Sequence, residues 1–472
     1  MAGNSEAVVI GSGPNGLAAA IVLAQAGFPV TVFEAAHTSG GGVRSAELTL
    51  PGFLHDICSA VHPLALASPF FRSLPLAEHG LNWIFPPAAL AHPLDDGPAI
   101  VLEGSVDATA AGLEGDGAAY RDLLGPAVEF WSVLLDEVLA PPHWPRHPRA
   151  LSRFALQALQ PAQGLARSRF RGAPARALFA GLAAHFMLPL DKLANAGFAL
   201  ILAGAAHAVG WPFPRGGAQQ IGDALASYLR AQGGHLVTGE RLDSLSRFDS
   251  AGTVLCDVSP REFLRLGGER LPPGFRRRLR AYRYGLGAFK VDWALAGPIP
   301  WRAPACRRAG TVHVGGTMEE IAASEQSARA GRPAERPFVL LAQPSRFDPA
   351  RAPAGKHTAW AYCHVPHASD FDMLGRIEAQ VERFAPGFRD CILARSVMPP
   401  AALEKHNSNL AGGDINGGVQ DVRQMLRRPT LRYYSTPLPG VLLCYSSTPP
   451  GGGVYGMCGY HAGQRALKFL RG

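Results

Sequence analysis

Residues 7–34 read AVVIGSGPNGLAAAIVLAQAGFPVTVFE. The β-branched run 7–10 predicts a strand, the Ala/Leu-rich run 17–27 predicts a helix that ends at a glycine, and residues 30–33 predict a second strand. Two strands joined through a helix in this way pair in parallel. The stretch therefore predicts a β-α-β unit and places the chain in the α/β class.

A glycine motif, G-x-G-x-x-G, occupies residues 11–16 between the first strand and the helix. In this context Gly11 permits a tight turn, Gly13 lets the backbone approach a diphosphate, and Gly16 lets helix and strand pack closely. The N-terminus of the following helix presents unpaired N–H groups that favour an anion. The motif predicts a dinucleotide site; the alternative is a glycine turn that packs a helix without a ligand.

The end of the second strand carries the acidic residue that such a site requires. Glu34 follows the strand, and its carboxylate is expected to accept a hydrogen bond from a ribose 2′-OH and to repel a 2′-phosphate. Pro14 and Asn15 open the helix, and Ala35 follows Glu34. We expect these residues to contact the same nucleotide.

A second glycine loop follows at residues 39–44, SGGGVR. Its guanidinium suits phosphate oxygens, so Gly41, Gly42, Val43 and Arg44 are expected to reach the same diphosphate from the other side.

A third glycine loop, residues 451–456, precedes the last predicted helix. The chain ends too soon after it for a second β-α-β unit, but Gly452, Gly453, Val454 and Met457 place bare backbone at a helix start. Such a position would stabilise negative charge on a reduced flavin. Three glycine loops serving one extended cofactor favour FAD.

The composition fits a large globular chain. Of 472 residues, 54 are glycine and 40 proline, while 47% are hydrophobic and 17% charged, which excludes disorder. The net charge of +8 comes with no interleaved base-stacking platform, so no nucleic-acid partner is expected. A peripheral contact with anionic lipid stays open.

Seven dispersed cysteines without a C-x-x-C pair predict neither disulfides nor zinc and favour a reducing, cytoplasmic location. No metal-ligand spacing is present, and no metal is expected.

The remaining pattern predicts two domains. Residues 76–205 are helical and interrupted by prolines, and segments such as 288–295 and 338–342 alternate like an antiparallel sheet with one buried face. We expect a discontinuous FAD-binding domain and an inserted α+β substrate domain. The first comprises residues 1–75, 206–285 and 401–472, and the second comprises 76–205 and 286–400. The apolar segment 193–211 predicts a buried helix near an apolar ligand.

These motifs resemble the FAD-dependent phytoene desaturase and carotenoid isomerase family within the flavin amine oxidase fold. More narrowly, they are similar to bacterial relatives of pyridine nucleotide-disulfide oxidoreductase domain-containing protein 2. The matching segments run nearly end to end: 8–34, 40–44, 51–56, 214–217, 289–295, 311–316, 360–366, 412–418 and 446–459. The resemblance implies FAD bound in an extended form, with its isoalloxazine at the domain boundary and Leu242 among its contacts.

The resemblance also implies an activity. It predicts an oxidoreductase that transfers a hydride from a C–H bond of a hydrophobic substrate to flavin N5 and is reoxidised by O2, a quinone or a redox partner. In flavin amine oxidases, a lysine at the place of Lys290 holds a water near N5, which makes Lys290 the catalytic candidate. The alternative is that Lys290 pairs with an acid such as Asp292 or points outward.

Two residues depart from the family pattern. A Gly-Asp pair usually follows the last strand, whereas Ser446 and Ser447 stand here and would substitute by their hydroxyls. Arg44 lies two places later than the usual loop arginine.

Other chemistry stays open at this stage. His313 and His461 are candidate proton carriers, and Cys444, Cys458 or His461 could bond a flavin covalently. Adjacent His55 and Asp56 are expected to face opposite sides of a strand.

Two other functions also stay open. One is a redox-neutral double-bond isomerase that uses reduced FAD. The other is a non-enzymatic binding protein like the Rab escort and GDP-dissociation-inhibitor proteins.

Overall fold

The computed structural model describes residues 6–471, so the outermost positions of the predicted domain ranges, residues 1–5 and 472, lie outside the described residues. The predicted β-α-β unit is present. Two parallel strands, Ala7–Ile10 and Val30–Phe33, flank a helix that begins at Pro14, three residues earlier than predicted. Proline at the first helical position has its φ already set for a helix and needs no N–H partner there.

The strands of the described chain, in sequence order, are β1 Ala7–Ile10, β2 Val30–Phe33, β3 Ser45–Glu47, β4 Leu54–Asp56, β5 Trp83–Ile84, β6 Ala88–His92, β7 Ile100–Leu102, β8 Phe213–Pro214, β9 His235–Val237, β10 Thr253–Cys256, β11 Gly287–Leu295, β12 Ala309–Val314, β13 Val339–Ala342, β14 His357–Val365, β15 Ile392–Met398 and β16 Val441–Leu443.

The α-helices are α1 Pro14–Gln25, α2 Pro63–Ala67, α3 Pro69–Arg72, α4 Val106–Ala111, α5 Gly117–Glu129, α6 Trp131–Val138, α7 Pro148–Ala158, α8 Ala162–Arg169, α9 Ala173–Ala184, α10 Asn195–Ala208, α11 Gln219–Ala231, α12 Pro260–Gly267, α13 Pro273–Arg280, α14 Met318–Arg329, α15 Leu374–Phe384, α16 Pro400–His406, α17 Val422–Met425 and α18 Met457–Arg471.

The first sheet is parallel and has the strand order β16-β10-β1-β2-β9. Its strands are short and apolar because helices cover them, as in other parallel sheets. Helices α1, α11 and α18 contribute Leu17, Ile21, Leu225 and Ala462 to the core on one face. The sheet aligns the carboxyl ends of β1, β2 and β10 along one edge, which is where ligands bind in open α/β sheets.

The second sheet has the order β15-β11-β14-β13-β12-β6-β7. Its neighbouring strands are antiparallel except for β6 and β12, which run parallel. The predicted antiparallel sheet is thus confirmed, but the expectation of a single buried face is wrong. All nine residues of β11 are buried. On one face Val291 and Trp293 pack with α15, and on the other Ala288 packs with Leu403 of α16 and Asp292 lies beside His55 of β4.

The strands of the first sheet come from residues 7–33, 235–256 and 441–443, and those of the second from 88–102 and 287–398. The exact domain boundaries stay a prediction. The predicted buried helix within 193–211 corresponds to α10, which packs against α9, α5 and α7. Among the described residues, no helix is both long and apolar enough to cross a bilayer.

Candidate active site

A single cavity of about 590 Å³ extends from the carboxyl edge of the first sheet to one face of the second sheet. This volume lies within the range of about 300–1,000 Å³ typical of small-molecule sites. The cavity is lined at one end by all three glycine loops and at the other by aromatic and aliphatic side chains. The fold therefore joins a nucleotide-like end and an apolar end in one space.

The glycine loops meet because their backbones lie in contact. A Cβ on Gly41 would lie 2.9 Å from the Cα of Gly13, and a Cβ on Gly13 would lie 2.7 Å from Asp257 Oδ2. Gly11 has a φ of +99°, a conformation that side chains other than glycine rarely adopt. The third loop reaches the same cavity through Gly452, whose Cβ would lie 2.8 Å from the carbonyl oxygen of Asn416.

Glu34 is fixed at the end of β2. Its Oε2 accepts hydrogen bonds from the Ser12 N–H at 2.9 Å and the Ser12 hydroxyl at 2.7 Å, and its Oε1 accepts from the Ala36 N–H at 2.9 Å. The carboxylate still lines the cavity beside Ala35 and retains lone pairs for a ligand hydroxyl.

Arg44 is a buried cation without a carboxylate partner among the described residues. Its side chain is 8% exposed, lines the cavity, and donates from Nε to the Gly41 carbonyl at 3.0 Å. A buried guanidinium is costly unless an anion compensates it. Its placement beside Gly13 and Gly41 fits the diphosphate that the glycine loops predict.

Asp257 is a site residue that the sequence reasoning missed. It follows β10, lies 6% exposed at the wall of the cavity, and accepts a hydrogen bond at 2.9 Å from the Gly16 N–H. Burial raises the pKa of this carboxyl to about 7; the Gly16 N–H opposes the shift and the charge of Glu34 adds to it. The apolar run that ends directly before Asp257 is the signal that could have found it, because ligands bind at the carboxyl ends of strands in open α/β sheets.

The structure brings most of the predicted site residues to this cavity. Those that line it are Gly11, Gly13, Pro14, Asn15, Glu34, Ala35, Gly41, Gly42, Arg44, Leu242, Lys290, Ser446, Gly452, Gly453 and Val454.

Four predicted residues do not line the cavity. Gly16 packs α1 against the turn, since a Cβ there would lie 2.0 Å from the Gly11 carbonyl oxygen. Val43 and Met457 belong to the hydrophobic core of the first sheet. Ser447 is fully buried, and its hydroxyl is unpaired within the described chain, so of the two serines only Ser446 faces the cavity.

Lys290 lies in the wall of the cavity. It is 2% exposed and forms an ion pair with Asp292, two residues further along β11 on the same face. Its Nζ also lies 5.9 Å from the centre of the Trp360 ring. Burial raises the pKa of Asp292 to about 6, although Lys290 opposes this shift. Lys290 therefore both lines the cavity and pairs with Asp292, which the sequence predicted as alternatives.

The strand register places the candidate residues in two rows across one face of the second sheet. One row runs Lys290–Tyr362–Leu340–His313, and the other runs Asp292–Trp360–Ala342–Thr311. Tyr362, Leu340, Trp360, Ala342 and Thr311 line the cavity. This face supplies the floor of the apolar end.

The far end of the floor carries a histidine group that the sequence reasoning found only in part. His313 is fully buried and its Nε2 lies 3.0 Å from Nε2 of His185, which lines the cavity. Trp211, also a lining residue, donates from its indole N–H to the Thr311 hydroxyl at 2.9 Å. His185 follows α9 and had no local sequence signal, because only the packing of α9 on β12 brings it here.

The other candidates lie elsewhere. Cys444, Cys458 and His461 do not line the cavity, and His461 contacts the Leu139 carbonyl at 2.9 Å. His55 and Asp56 diverge as expected: the His55 ring lies 3.6 Å from Asp292, and Asp56 binds Arg351. No group of three metal-ligating side chains occurs within residues 6–471.

Fold and site together define a mixed α/β protein with a Rossmann-type dinucleotide-binding domain and the architecture of flavin amine oxidases. A family model described as an NAD(P)-binding Rossmann-like domain matches residues 9–72. An oxidoreductase from Methanosarcina mazei superimposes with a TM-score of 0.65 at 17% identity, over 98% of this chain and 100% of that one. Wild-type putrescine oxidase bound to putrescine superimposes with a TM-score of 0.62 at 17% identity, over 99% of each chain.

Curated proteins give a second, sequence-based comparison. The rat (Rattus norvegicus) pyridine nucleotide-disulfide oxidoreductase domain-containing protein 2 is 26% identical over 555 aligned residues, covering 99% of this chain and 94% of the rat protein. A component of the limonene dehydrogenase of Castellaniella defragrans is 32% identical over 102 residues, 22% of this chain and 18% of that protein. The narrower predicted resemblance is confirmed, and the placement in the phytoene desaturase family stays a prediction.

Proposed function

We propose that this protein is an FAD-dependent oxidoreductase that dehydrogenates a neutral, hydrophobic substrate. The observation that carries the proposal is the single cavity that connects three glycine loops to an apolar face bearing Lys290. Bound FAD would supply the electron acceptor for removal of a hydride from the substrate.

The residues at the nucleotide end fit this cofactor. Arg44 would neutralise the diphosphate, Glu34 would accept hydrogen bonds from ribose hydroxyls, and the bare backbone at Gly13 and Gly41 leaves room for the phosphates. Two buried amide atoms, Asn15 Oδ1 and Asn416 Nδ2, have no hydrogen-bond partner among residues 6–471 and offer one acceptor and one donor to the ligand.

The apolar end favours a neutral substrate over an amine. The carboxylates that line the cavity are Glu34, Glu240, Asp257 and Glu262, and all of them lie around the first sheet. Phe198, Leu202, Trp211 and Leu340 surround the other end, so a cationic amine would be desolvated there without an acidic partner. A hydrocarbon-rich molecule suits this end, as the name of the limonene dehydrogenase relative also suggests.

The polar groups of this end can orient the substrate and carry a proton. We assign Lys290 to holding a water or a substrate oxygen at the cavity wall, where Asp292 keeps the ammonium in place. The Thr311 hydroxyl accepts from Trp211, which leaves its own hydrogen free to donate into the cavity. The proton lost from the substrate would pass to the water held by Lys290 and on to solvent, because the ammonium itself has no lone pair to accept it.

The test is reconstitution followed by anaerobic titration. The purified protein is incubated with FAD, and its visible spectrum is followed anaerobically with carotenoid, retinoid, fatty-acyl and amine substrates. We expect a bound flavin that is bleached by a neutral hydrophobic substrate and returns on addition of O2 or a quinone. Gly13→Val, whose branched side chain would collide with Asp257, is expected to lose the flavin.

The alternatives give different results. A protein that stays colourless with FAD is a binding protein rather than an enzyme, and one that captures NADH instead uses a nicotinamide cofactor. Turnover that requires reduced flavin and consumes no acceptor identifies the isomerase. Bleaching by amines alone would contradict the substrate assignment.

A further inference from the structure

The structure contains a second cavity that the proposed function does not use. A groove of about 1060 Å³ opens between α5, α6, α7 and α10, away from the glycine loops. Its inner wall is apolar and is formed by Leu123, Ala127, Phe130, Leu134, Phe154 and Leu200. A space of this size with such a wall can accommodate a hydrocarbon chain.

The rim of the groove is strongly basic. Arg146, Arg149, Arg153 and Arg169 line it, accompanied by one carboxylate, that of Asp122. Within residues 6–471, none of the four guanidinium groups forms an ion pair. The rim therefore combines four uncompensated cations with an apolar interior.

Repulsion between two of the rim arginines destabilises the helix that carries them. Arg149 and Arg153 stand four residues apart on α7, where like charges repel each other across one helical turn. Glu137, on α6, is 9% exposed and accepts hydrogen bonds from the backbone N–H groups of Arg146 and His147 at 2.7 and 2.9 Å. Glu137 thus fixes the loop that carries Arg146 and does not neutralise the rim.

From this arrangement we infer that the groove binds an anionic amphiphile, a molecule with an acyl chain and a carboxylate or phosphate head. The chain would lie along the apolar wall, and Arg149 and Arg153 would bind the head, since guanidinium groups pair bidentately with both anions. The ligand has two sources, a free fatty acid or an anionic phospholipid in a bilayer. Trp144 and Leu156, 93% and 71% exposed, lie close in sequence to the rim residues Arg146 and Arg153 and would contact a bilayer in the second case.

The groove also lies next to the proposed active site. Leu200 of α10 lines the groove, while Phe198 and Leu202 of the same helix line the main cavity. A ligand in the groove would therefore be one helix away from the apolar end of the active site. The inference does not depend on the proposed activity.

The test measures binding of the fluorescent fatty acid parinarate to the full, FAD-incubated chain. Wild type is compared with Arg149→Glu/Arg153→Glu, with Gln157→Trp, which fills the groove and keeps its charge, and with Arg277→Glu/Arg278→Glu, which makes the same charge change on exposed α13. The first two variants should weaken binding by about tenfold or more, and the third should not. The uncharged methyl ester of parinarate should also bind about tenfold more weakly.

A second measurement, cosedimentation of the protein with phospholipid vesicles, distinguishes the two sources of the ligand. Binding of parinarate without cosedimentation on phosphatidylglycerol vesicles indicates a free fatty acid. Cosedimentation that Arg149→Glu/Arg153→Glu abolishes and Arg277→Glu/Arg278→Glu preserves indicates a bilayer lipid. The inference is overturned if neither ligand binds, if the methyl ester binds equally well, or if both charge-reversal variants lose binding to the same extent.

Discussion

At the scale of single residues, an ionised Asp257 would repel the diphosphate that the glycine loops around it favour. The carboxyl lies in the glycine turn where a diphosphate would bind, and burial raises its pKa to about 7. A raised pKa means that the folded state is favoured when Asp257 is protonated. This stabilisation is complete below the pKa of the unfolded chain and is lost as the pH rises through about 7.

Cofactor affinity should therefore depend on pH. A diphosphate beside Asp257 adds like charge, so binding favours the protonated acid and takes up a proton. We expect the FAD dissociation constant to rise by up to about tenfold per pH unit above the pKa of Asp257. This slope is measured by flavin fluorescence titrations at several pH values between about 6 and 8, a range that spans the titration of Asp257.

The matched variants isolate the group. Asp257→Asn keeps an acceptor for the Gly16 N–H and should flatten the pH dependence, whereas Asp249→Asn, which neutralises an exposed acid, should leave it unchanged. A slope that survives in Asp257→Asn would show that another group titrates.

Lys290 gives a second prediction at this scale. Lys290→Met should slow anaerobic flavin reduction by about 10²-fold with the substrate found in the panel, because a positioned proton-handling group contributes at least that much. The variant leaves Asp292 buried without its partner, so Lys290→Met/Asp292→Asn is the better-folded comparison. Equal reduction rates in wild type and the double variant, with FAD still bound, would assign Lys290 a purely structural role.

How far the sequence predicts the site depends on how local the signal is. Gly13 and Glu34 belong to a motif that indicates a nucleotide in the context of a β-α-β unit, and Arg44 belongs to the second glycine loop; the structure places all three in one cavity. Asp257 follows an apolar strand, which is a weaker signal than a motif of fixed spacing, and His185 reaches the same cavity only through the packing of distant elements. No periodicity within the chain encodes that packing.

At the scale of elements, the contact between α1 and α18 determines how closely the third glycine loop approaches the first. A Cβ on Gly459 would lie 1.8 Å from the Asn15 carbonyl oxygen, so the two helices touch through their backbones. Gly459→Ala should force α18 away from α1 and destabilise the fold by about 1–3 kcal/mol. It should also weaken FAD binding, because α18 begins next to Gly452 and Gly453.

A helical glycine without close neighbours serves as the control. Gly164 of α8 is exposed, and a Cβ there would meet nothing closer than 4.0 Å, at Pro161. Gly164→Ala should therefore stabilise by about 0.4–1 kcal/mol. Urea unfolding curves compare the two variants, and a neutral Gly459→Ala would contradict the proposed contact.

The elements themselves were easier to predict than their environments. β1, β2 and β11 were predicted to within one residue because their apolar runs are bounded by turns. The alternation in β11 predicts one solvent-exposed face, yet Lys290 and Asp292 on that face are buried as an ion pair. A paired charge and a solvated charge look the same in a sequence, which is why the covered second face was missed.

At the scale of the whole molecule, one buried arginine links segments that are far apart in sequence. Arg351, between β13 and β14, is fully buried and donates to Asp56 at 2.6 Å, to Asp348 at 3.2 Å and to the Pro214 carbonyl at 2.9 Å. Burial would raise the pKa of Asp56, but Arg351, the Ala218 N–H and the Ser45 hydroxyl outweigh it and hold the pKa below its usual value. The stability from Asp56 is thus present at neutral pH and is lost as the pH falls below that usual value.

Removing this arginine should destabilise the molecule as a whole. Arg351→Met leaves Asp56 and Asp348 as buried charges without their cation, and we expect a loss of about 3–5 kcal/mol in the free energy of unfolding. Arg308→Ala, which removes the exposed partner of Glu103, should cost about 1 kcal/mol or less. Urea midpoints at neutral pH measure both variants. Because Asp56 lies on the strand paired with Ser45, next to Arg44, Arg351→Met should also weaken FAD binding. Equal midpoints for the two variants would show that the three segments are held together by their apolar contacts alone.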